Sequence, residues 1–326
     1  MKALVTGGSG FIGSHLVEAL AREGWDVQVV AKHSMYSDEV ERVGARLLRA
    51  DIRDTASIAP ALRDADLVFH LAGVTRARCN AAYYSGNHLA TRDFLRVCAA
   101  HCGALQRFVY VSSLTAVGPR LGDDEVTEYT PYHPVSHYGR SKMLAETEVR
   151  RYAEHFPVTI VRPSGVYGPR DREFFRFFSM IQHGIEPLVG SGEQELNIVH
   201  VDDLVRGILA AAVHPQAAGE TFMLGDAVNY STARICGAFA EAEACDPFVV
   251  KLPAPLVYIA AALSETVGKL LRRDVMFNIQ KARETLQDAW TCSIQKARML
   301  LDYEPRVSLA EGAEGTYKWY KMHGWL

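Results

Sequence analysis

A glycine-rich run near the start of the chain, Thr6-Gly-Gly-Ser-Gly-Phe-Ile-Gly13, constrains the fold more than any other feature. It follows a short apolar stretch, Lys2–Thr6, that reads as a strand. It opens Phe11–Arg22, where Phe11, Ile12, Leu16, Ala19 and Leu20 have helical spacing. Gly7, Gly10 and Gly13 stand at G-x-x-G-x-x-G. Glycine there permits a tight turn and lets backbone N–H groups approach a pyrophosphate, and the third glycine lets the helix pack close to the sheet. The helix N-terminus adds about half a positive charge toward the phosphates. Strand, glycine turn and helix in this order predict a dinucleotide site, with Phe11 and Ile12 in the binding loop beside Gly7, Gly10 and Gly13.

Strands and helices then alternate. Strands are predicted at Asp26–Ala31, Arg46–Ala50, Leu67–Leu71, Phe108–Ser112 and Val158–Arg162, and helices at Ser57–Arg63, Tyr84–Cys102 and Ser136–His155. This rhythm predicts an α/β fold, a doubly wound parallel sheet of the Rossmann kind. From about Gly168 it changes: a helix at Phe174–His183, a glycine turn, a strand at Asn197–Val201, a helix at Asp202–Ala212, a strand at Thr221–Leu224, then mostly helix. Residues 1–165 are expected to form the dinucleotide domain, with about 197–226 returning to it. Residues 166–196 and 227–326 are expected to form a smaller, mostly helical substrate-binding part over the strand ends.

Composition narrows the class. Of 326 residues, 48% are hydrophobic and 22% charged, which excludes disorder for the bulk of the chain. The 35 basic and 38 acidic residues leave a net charge of −3 without a run of like charge, so no nucleic-acid partner is expected. The six cysteines (79, 98, 102, 236, 245, 292) form no C-x-x-C pair and the twelve histidines no H-E-x-x-H, so no metal is expected. Thiols buried as small hydrophobes suit a reducing compartment. The start, MKALVTGG, has too few apolar residues for a signal-peptide core. The longest apolar run, Leu252 to Leu263, is about 12 residues where a bilayer span needs about 20. A cytoplasmic protein is expected.

The end of the second strand reads Val29-Val30-Ala31-Lys32-His33-Ser34. An acid there would hold a ribose 2′-hydroxyl and a base would accommodate a 2′-phosphate. The acid is missing and Lys32 is present, which favours NADP(H). The alternative is a solvated Lys32 and NAD bound without a carboxylate. Asp51-Ile52 after the third strand has the chemistry to hold an adenine amino group and cover its ring, or to cap the next helix, for which Asp54 is an equal candidate. Leu71-Ala72-Gly73 ends the fourth strand with small residues that leave a cofactor backbone room.

Tyr138-Gly-Arg-Ser-Lys142 opens a predicted helix, and residues four apart share a helix face. A free phenol, with a pKa near 10, is a poor base at neutral pH, and a neighbouring ammonium lowers it. Beside a nicotinamide such a couple moves a hydroxyl proton while hydride moves to or from the ring. Ser112-Ser113, at the end of the preceding strand, offers a hydroxyl to orient the same substrate oxygen.

Together these residues resemble the extended short-chain dehydrogenase/reductase family, also called the NAD-dependent epimerase/dehydratase family. The matching pieces are Thr6–Gly13, Asp51-Ile52, Leu71–Gly73, Asn87, Ser112-Ser113, Tyr138–Lys142, Arg162–Pro169 and His200–Leu204, in family order. The resemblance implies a nicotinamide cofactor and a catalytic set of Ser113, Tyr138 and Lys142. Ser113 is chosen over Ser112 because it precedes Tyr138 by 25 residues, a separation seen in the sugar epimerases. It also implies that Pro163 to Val166 lie beside the nicotinamide, and that Tyr138 and Lys142 contact cofactor as well as substrate.

The sequence departs from the sugar-nucleotide epimerases at Gln194–Val199, where an arginine that would meet a substrate pyrophosphate is missing and Glu195 would repel one. Arg283 is another anion anchor or a surface charge. Leu252–Arg273 and Trp290–Ala297 look like the 3β-hydroxysteroid-dehydrogenase-like branch. An apolar helix over 252–273 would cover the substrate mouth of an enzyme for hydrophobic ketones, touch a membrane surface weakly with Lys269, Arg272 and Arg273 at its end, or serve as a core or dimer-contact helix. Arg76, Arg78 and Cys79 contact substrate or form a surface loop. Asp171, Arg172 and Glu173 line the pocket mouth or begin a helix. The expected activity is NAD(P)-dependent hydride transfer at a secondary alcohol or ketone carbon of a small molecule, by a homodimer. The alternatives are a nucleotide-sugar epimerase or dehydratase that holds NAD tightly, and a non-catalytic dinucleotide sensor.

Overall fold

The computed structural model describes residues 1–32, 35–270 and 278–326. His33 and Ser34, and the Arg272 and Arg273 of the expected membrane contact, lie outside the described residues.

The first half runs β1 (Lys2–Thr6), α1 (Phe11–Arg22), β2 (Asp26–Val30), α2 (Ser37–Arg42), β3 (Arg46–Leu48), α3 (Thr55–Arg63), β4 (Leu67–His70), α4 (Asn80–Tyr83), α5 (Ala90–His101), β5 (Arg107–Val111), α6 (His137–Arg151) and β6 (Val158–Pro163). The second half runs β7 (Gly165–Tyr167), α7 (Phe175–Gln182), β8 (Ile185–Val189), β9 (Glu195–His200), α8 (Val201–Val213), β10 (Thr221–Leu224), β11 (Asn229–Ser231), α9 (Thr232–Glu243), β12 (Phe248–Leu252), α10 (Ala254–Leu270), α11 (Ile279–Thr285), β13 (Ala289–Trp290), α12 (Gln295–Leu301) and α13 (Leu309–Met322).

Seven parallel strands form the main sheet in the order β10-β6-β5-β4-β1-β2-β3. Successive strand residues point to opposite faces, so each apolar strand feeds two cores. Val5, Phe69, Val109 and Val161 pack with Leu16, Leu20, Leu204 and Ile208 of α1 and α8. Their neighbours Leu4, Val68, Phe108 and Ile160 pack on the other face with Leu62, Phe94, Leu95 and Val149 of α3, α5 and α6. Each such side chain contributes about 1.5–3 kcal/mol on burial. The strand order reverses between β1 and β4, and a crevice at that point is where open α/β sheets bind ligands.

The remaining part is mostly helical, as expected, and adds short strands. β7, β9, β11 and β13 form a small sheet, and β8 pairs β12 in a third. The strand expected at Asn197–Val201 belongs to the small sheet rather than the main one, because buried Asn197 binds the Asp226 and Val228 carbonyls and Asn229 Oδ1 and ties β9 to β11. A core of Tyr167, Phe178, Ile235, Phe239, Leu309 and Tyr320 joins β7, α7, α9 and α13. The expected helix from Tyr84 starts earlier, at Asn80, and passes through a π-helical stretch at Tyr84–Leu89 before α5. None of the described helices is long and apolar enough to cross a membrane.

Candidate active site

The glycine turn is built by close approach. Gly7 has φ +71°, in the left-handed region that disfavours side chains, and a Cβ there would stand 2.7 Å from the Ala72 nitrogen. A Cβ on Gly13 would stand 2.2 Å from the Gly7 carbonyl oxygen, so α1 can lie on its own loop only without one. Beneath the turn, Thr6 Oγ1 lies 2.6 Å from His70 Nδ1, whose Nε2 is 2.9 Å from Thr91 Oγ1, clamping the ends of β1 and β4. Burial pushes this imidazole down to about 3, so it is neutral.

Gly10 is the N-cap of α1 and, among the described residues, no side chain caps that turn. Its N–H groups therefore face outward for an acceptor. Leu71 and Ala72 extend β4 along the turn, through the Leu71 N–H to the Thr6 carbonyl and the Ala72 N–H to Thr6 Oγ1. Gly73 is pressed against Asn87, whose side chain holds both the N–H and the carbonyl of Val74 and donates to Ser141 on α6. The π-helical stretch carries Asn87 inward to make these bonds.

Lys32 and Asp51, at the ends of β2 and β3, meet: Lys32 Nζ is 3.3 Å from the carboxylate and Arg53 Nη2 2.8 Å from it. Hydrogen bonds from Arg53, then from Lys32, hold Asp51 far below the usual carboxylate range. Asp54 caps α3 by accepting from the Ser57 N–H. Ile52 packs against the core under α3.

Tyr138 and Lys142 lie in the first two turns of α6, capped by Ser136. The Ser113 hydroxyl accepts from the Thr115 N–H and hydroxyl and lies beside the Tyr138 phenol. Ser112 points elsewhere and donates to buried Glu146 at 2.6 Å. Glu146 also accepts from Tyr132 and Arg162, so a buried ion pair locks α6 to the end of β6. Tyr138, Lys142 and Glu146 follow at four-residue steps on one helix face.

The electrostatics differ from the sequence expectation. Lys142 Nζ donates to the Val111 carbonyl at 2.7 Å and lies over the Tyr110 ring, and burial brings its pKa down to about 7 against the pull of Glu146. The Tyr138 phenol is raised, not lowered. Burial is the main cause, then Glu284 and Glu173; Lys281 and the Ser113 hydrogen bond work the other way. The expected single cation beside a phenol is thus a larger set of charges, two of them contributed by α11.

The loop residues divide. Asp171 begins the turn before α7 by accepting from the Glu173 and Phe174 N–H groups. Arg172 lies over the Trp325 ring. Glu173 turns to Arg76 and Lys281. Cys79 is exposed at the start of α4. Arg283 is exposed on α11, where its charge is felt by His137. Glu195 is paired with Arg120 at 2.6 Å. The helix beside Tyr138 is α11, not the apolar α10: Gln280 accepts from the His137 N–H. α10 packs Val257 and Ala261 on Ala282 of α11. Sequence reasoning missed Lys281 and Glu284, which no motif marks.

A dinucleotide fits these residues. The uncapped turn of α1 offers N–H groups to a pyrophosphate, and Gly10 leaves its side open, a Cβ there meeting only the Gly7 carbonyl. Pro163 ends β6 and Val166 lies in β7, and between them the Ser164 hydroxyl is buried without a partner among the described residues.

Residues 3–225 match the model of the family described as NAD dependent epimerase/dehydratase. The chain belongs to this family. Among its relatives, the ceramide reductase of Caulobacter vibrioides is 28% identical, with 99% of this chain and 95% of that protein covered. Short-chain dehydrogenase/reductase family 42E member 1 of Danio rerio is 30% identical, with 98% and 88% covered. The UDP-glucuronic acid 4-epimerase of Bacillus cereus, solved with UDP-glucuronic acid and NAD, superposes with a TM-score of 0.81 at 25% identity, covering 99% of this chain and all of that one. The chain is an enzyme of the extended short-chain dehydrogenase/reductase type, on the side of the 3β-hydroxysteroid-dehydrogenase-like branch. Its chemistry is hydride transfer at a secondary alcohol or ketone carbon, which sets aside the sensor reading.

Proposed function

We propose that this enzyme is a net oxidoreductase that reduces a ketone, or oxidises the matching alcohol, with NADP(H). This reading is supported most by Tyr138 and Lys142, one turn apart on α6, with Ser113 at the end of β5 beside the Tyr138 phenol. Bound there, the dinucleotide supplies or accepts the hydride. Tyr138 passes a proton to the substrate oxygen, or takes one from it. Ser113 donates to the same oxygen and orients it. Lys142 leaves the Val111 carbonyl to hold the ribose and, as an ammonium, favours the phenolate during proton transfer. The turn at Gly7, Gly10, Phe11, Ile12 and Gly13 binds the pyrophosphate. Asp51 and Ile52 flank the adenine, Leu71, Ala72 and Gly73 leave room for the dinucleotide backbone, and Pro163 and Val166 border the nicotinamide.

The basic pair at the ends of β2 and β3 supports NADP(H). Lys32 and Arg53 both grip Asp51, and a 2′-phosphate would draw them from it. Against a nucleotide-sugar substrate stands Glu195, a carboxylate in the stretch where the sugar-nucleotide epimerases carry an arginine, with Arg120 paired to it. Six free thiols support a cytoplasmic setting. The outward stripe of α10, Leu256, Ile259, Leu263 and Val267, is each more than half exposed and supports the homodimer or weak membrane contact expected of this segment.

Absorbance at 340 nm tests the reading, with purified enzyme, NADPH or NADH, and a series of ketones. Stoichiometric loss of NADPH, faster than of NADH, is expected. An enzyme that copurifies with NAD and interconverts sugar epimers without net turnover would contradict it.

A further inference from the structure

Four residues that no motif connects meet beside Tyr138. Lys281 Nζ lies 3.1 Å from Glu173 and 3.6 Å from Glu284, and Arg76 Nη2 lies 3.9 Å from the other Glu173 oxygen. Arg76 follows β4, Glu173 follows β7, and Lys281 with Glu284 rides on α11. The seat of α11 is fixed, since Gln280 accepts from the His137 N–H at 3.2 Å and His137 is the neighbour of Tyr138. The Tyr83 ring packs edge-on to the Tyr138 ring, 6.2 Å between centroids.

We infer that Lys281, held between Glu173 and Glu284, binds a second oxygen of the substrate, on the carbon next to the reacting one. This residue would then set specificity for ketones carrying a neighbouring hydroxyl or other polar group. The inference rests on the oxidoreductase reading, in which the reacting oxygen sits at Tyr138 and Ser113.

Three facts carry it. An ammonium has three N–H donors, and Glu173 takes one at hydrogen-bond distance while Glu284 stands beyond it, leaving donor capacity for a ligand. The Lys281 and Glu173 side chains each keep 44% of their exposure, so they are open to a ligand, and ion pairs this exposed add little to folding. The triad also offers both signs at once: Lys281 donates to a ligand oxygen, and the carboxylates accept from its O–H or N–H. A purely apolar ketone uses none of this, and covering these charged groups with it costs their hydration.

Acetophenone and phenacyl alcohol differ by one hydroxyl beside the carbonyl and serve as probes. Wild-type enzyme, Lys281→Met and Lys281→Arg are assayed for NADPH oxidation with each. Binding of each probe to the NADP⁺-loaded proteins is measured by saturation-transfer NMR. The wild type is expected to prefer phenacyl alcohol in kcat/KM and in binding. Lys281→Met is expected to shrink that preference about tenfold, the range of one charge-assisted hydrogen bond, and Lys281→Arg to restore part of it. A structural role would slow both ketones and leave their ratio alone. A wild type that holds the two probes alike, or a Lys281→Met variant that keeps the ratio, overturns the inference. Selective binding of phenacyl alcohol without NADPH oxidation by either ketone supports the subsite and contradicts the oxidoreductase reading.

Discussion

At the scale of single residues, the site shows how little a side chain's type fixes its chemistry. Lys142 and Lys281 are both near Tyr138 in the fold, but burial lowers the pKa of the first to about 7, while Glu173 and Glu284 raise that of the second against its partial desolvation. The Tyr-x-x-x-Lys spacing made Lys142 legible. Lys281 was not, because its partner Glu173 is 108 positions away and a lysine on a short helix reads as a solvated charge. Lys32 was legible for a simpler reason, since an acid is missing where one is ordinarily read. Its contact with Asp51 was hidden, as it depends on β2 and β3 lying side by side. For Lys32→Ala we expect NADPH to bind about tenfold more weakly and NADH to change by less than twofold, because one phosphate contact is worth about 1.5–3 kcal/mol before solvent screening reduces it. Fluorescence titration of both reduced cofactors checks this, and equal losses would assign Lys32 a structural role.

Elements with a long period were readable in advance. α1 and β10 have the expected limits, and β1 is the predicted strand. Short strands in the second half were not, because β7, β11 and β13 have two or three residues each and show no alternation. They exist because β9 supplies the pairing edge. The glycine turn is the element on which cofactor binding depends most. Gly13→Ala places a methyl 2.2 Å from the Gly7 oxygen, on backbone that cannot yield without moving α1. A loss of about 1–3 kcal/mol in stability is expected, together with weaker dinucleotide binding. Urea unfolding with and without NADPH measures both. Unchanged midpoints would show that the turn has more slack than its geometry implies.

On the scale of the whole molecule, the main sheet and the small sheet meet at the active site. The sheet delivers the glycine turn, Ser113 and α6, while Glu173 and α11 come from the other part, so neither alone assembles the charges around Tyr138. In the proposed reaction the Tyr138 phenol carries the proton that accompanies the hydride. Single-turnover transfer from NADPH to phenacyl alcohol by Tyr138→Phe tests it most directly, with NADPH affinity measured on the same sample. A rate about 10²–10⁴-fold below wild type is expected, with NADPH still bound normally. A rate within a few-fold of wild type would contradict it.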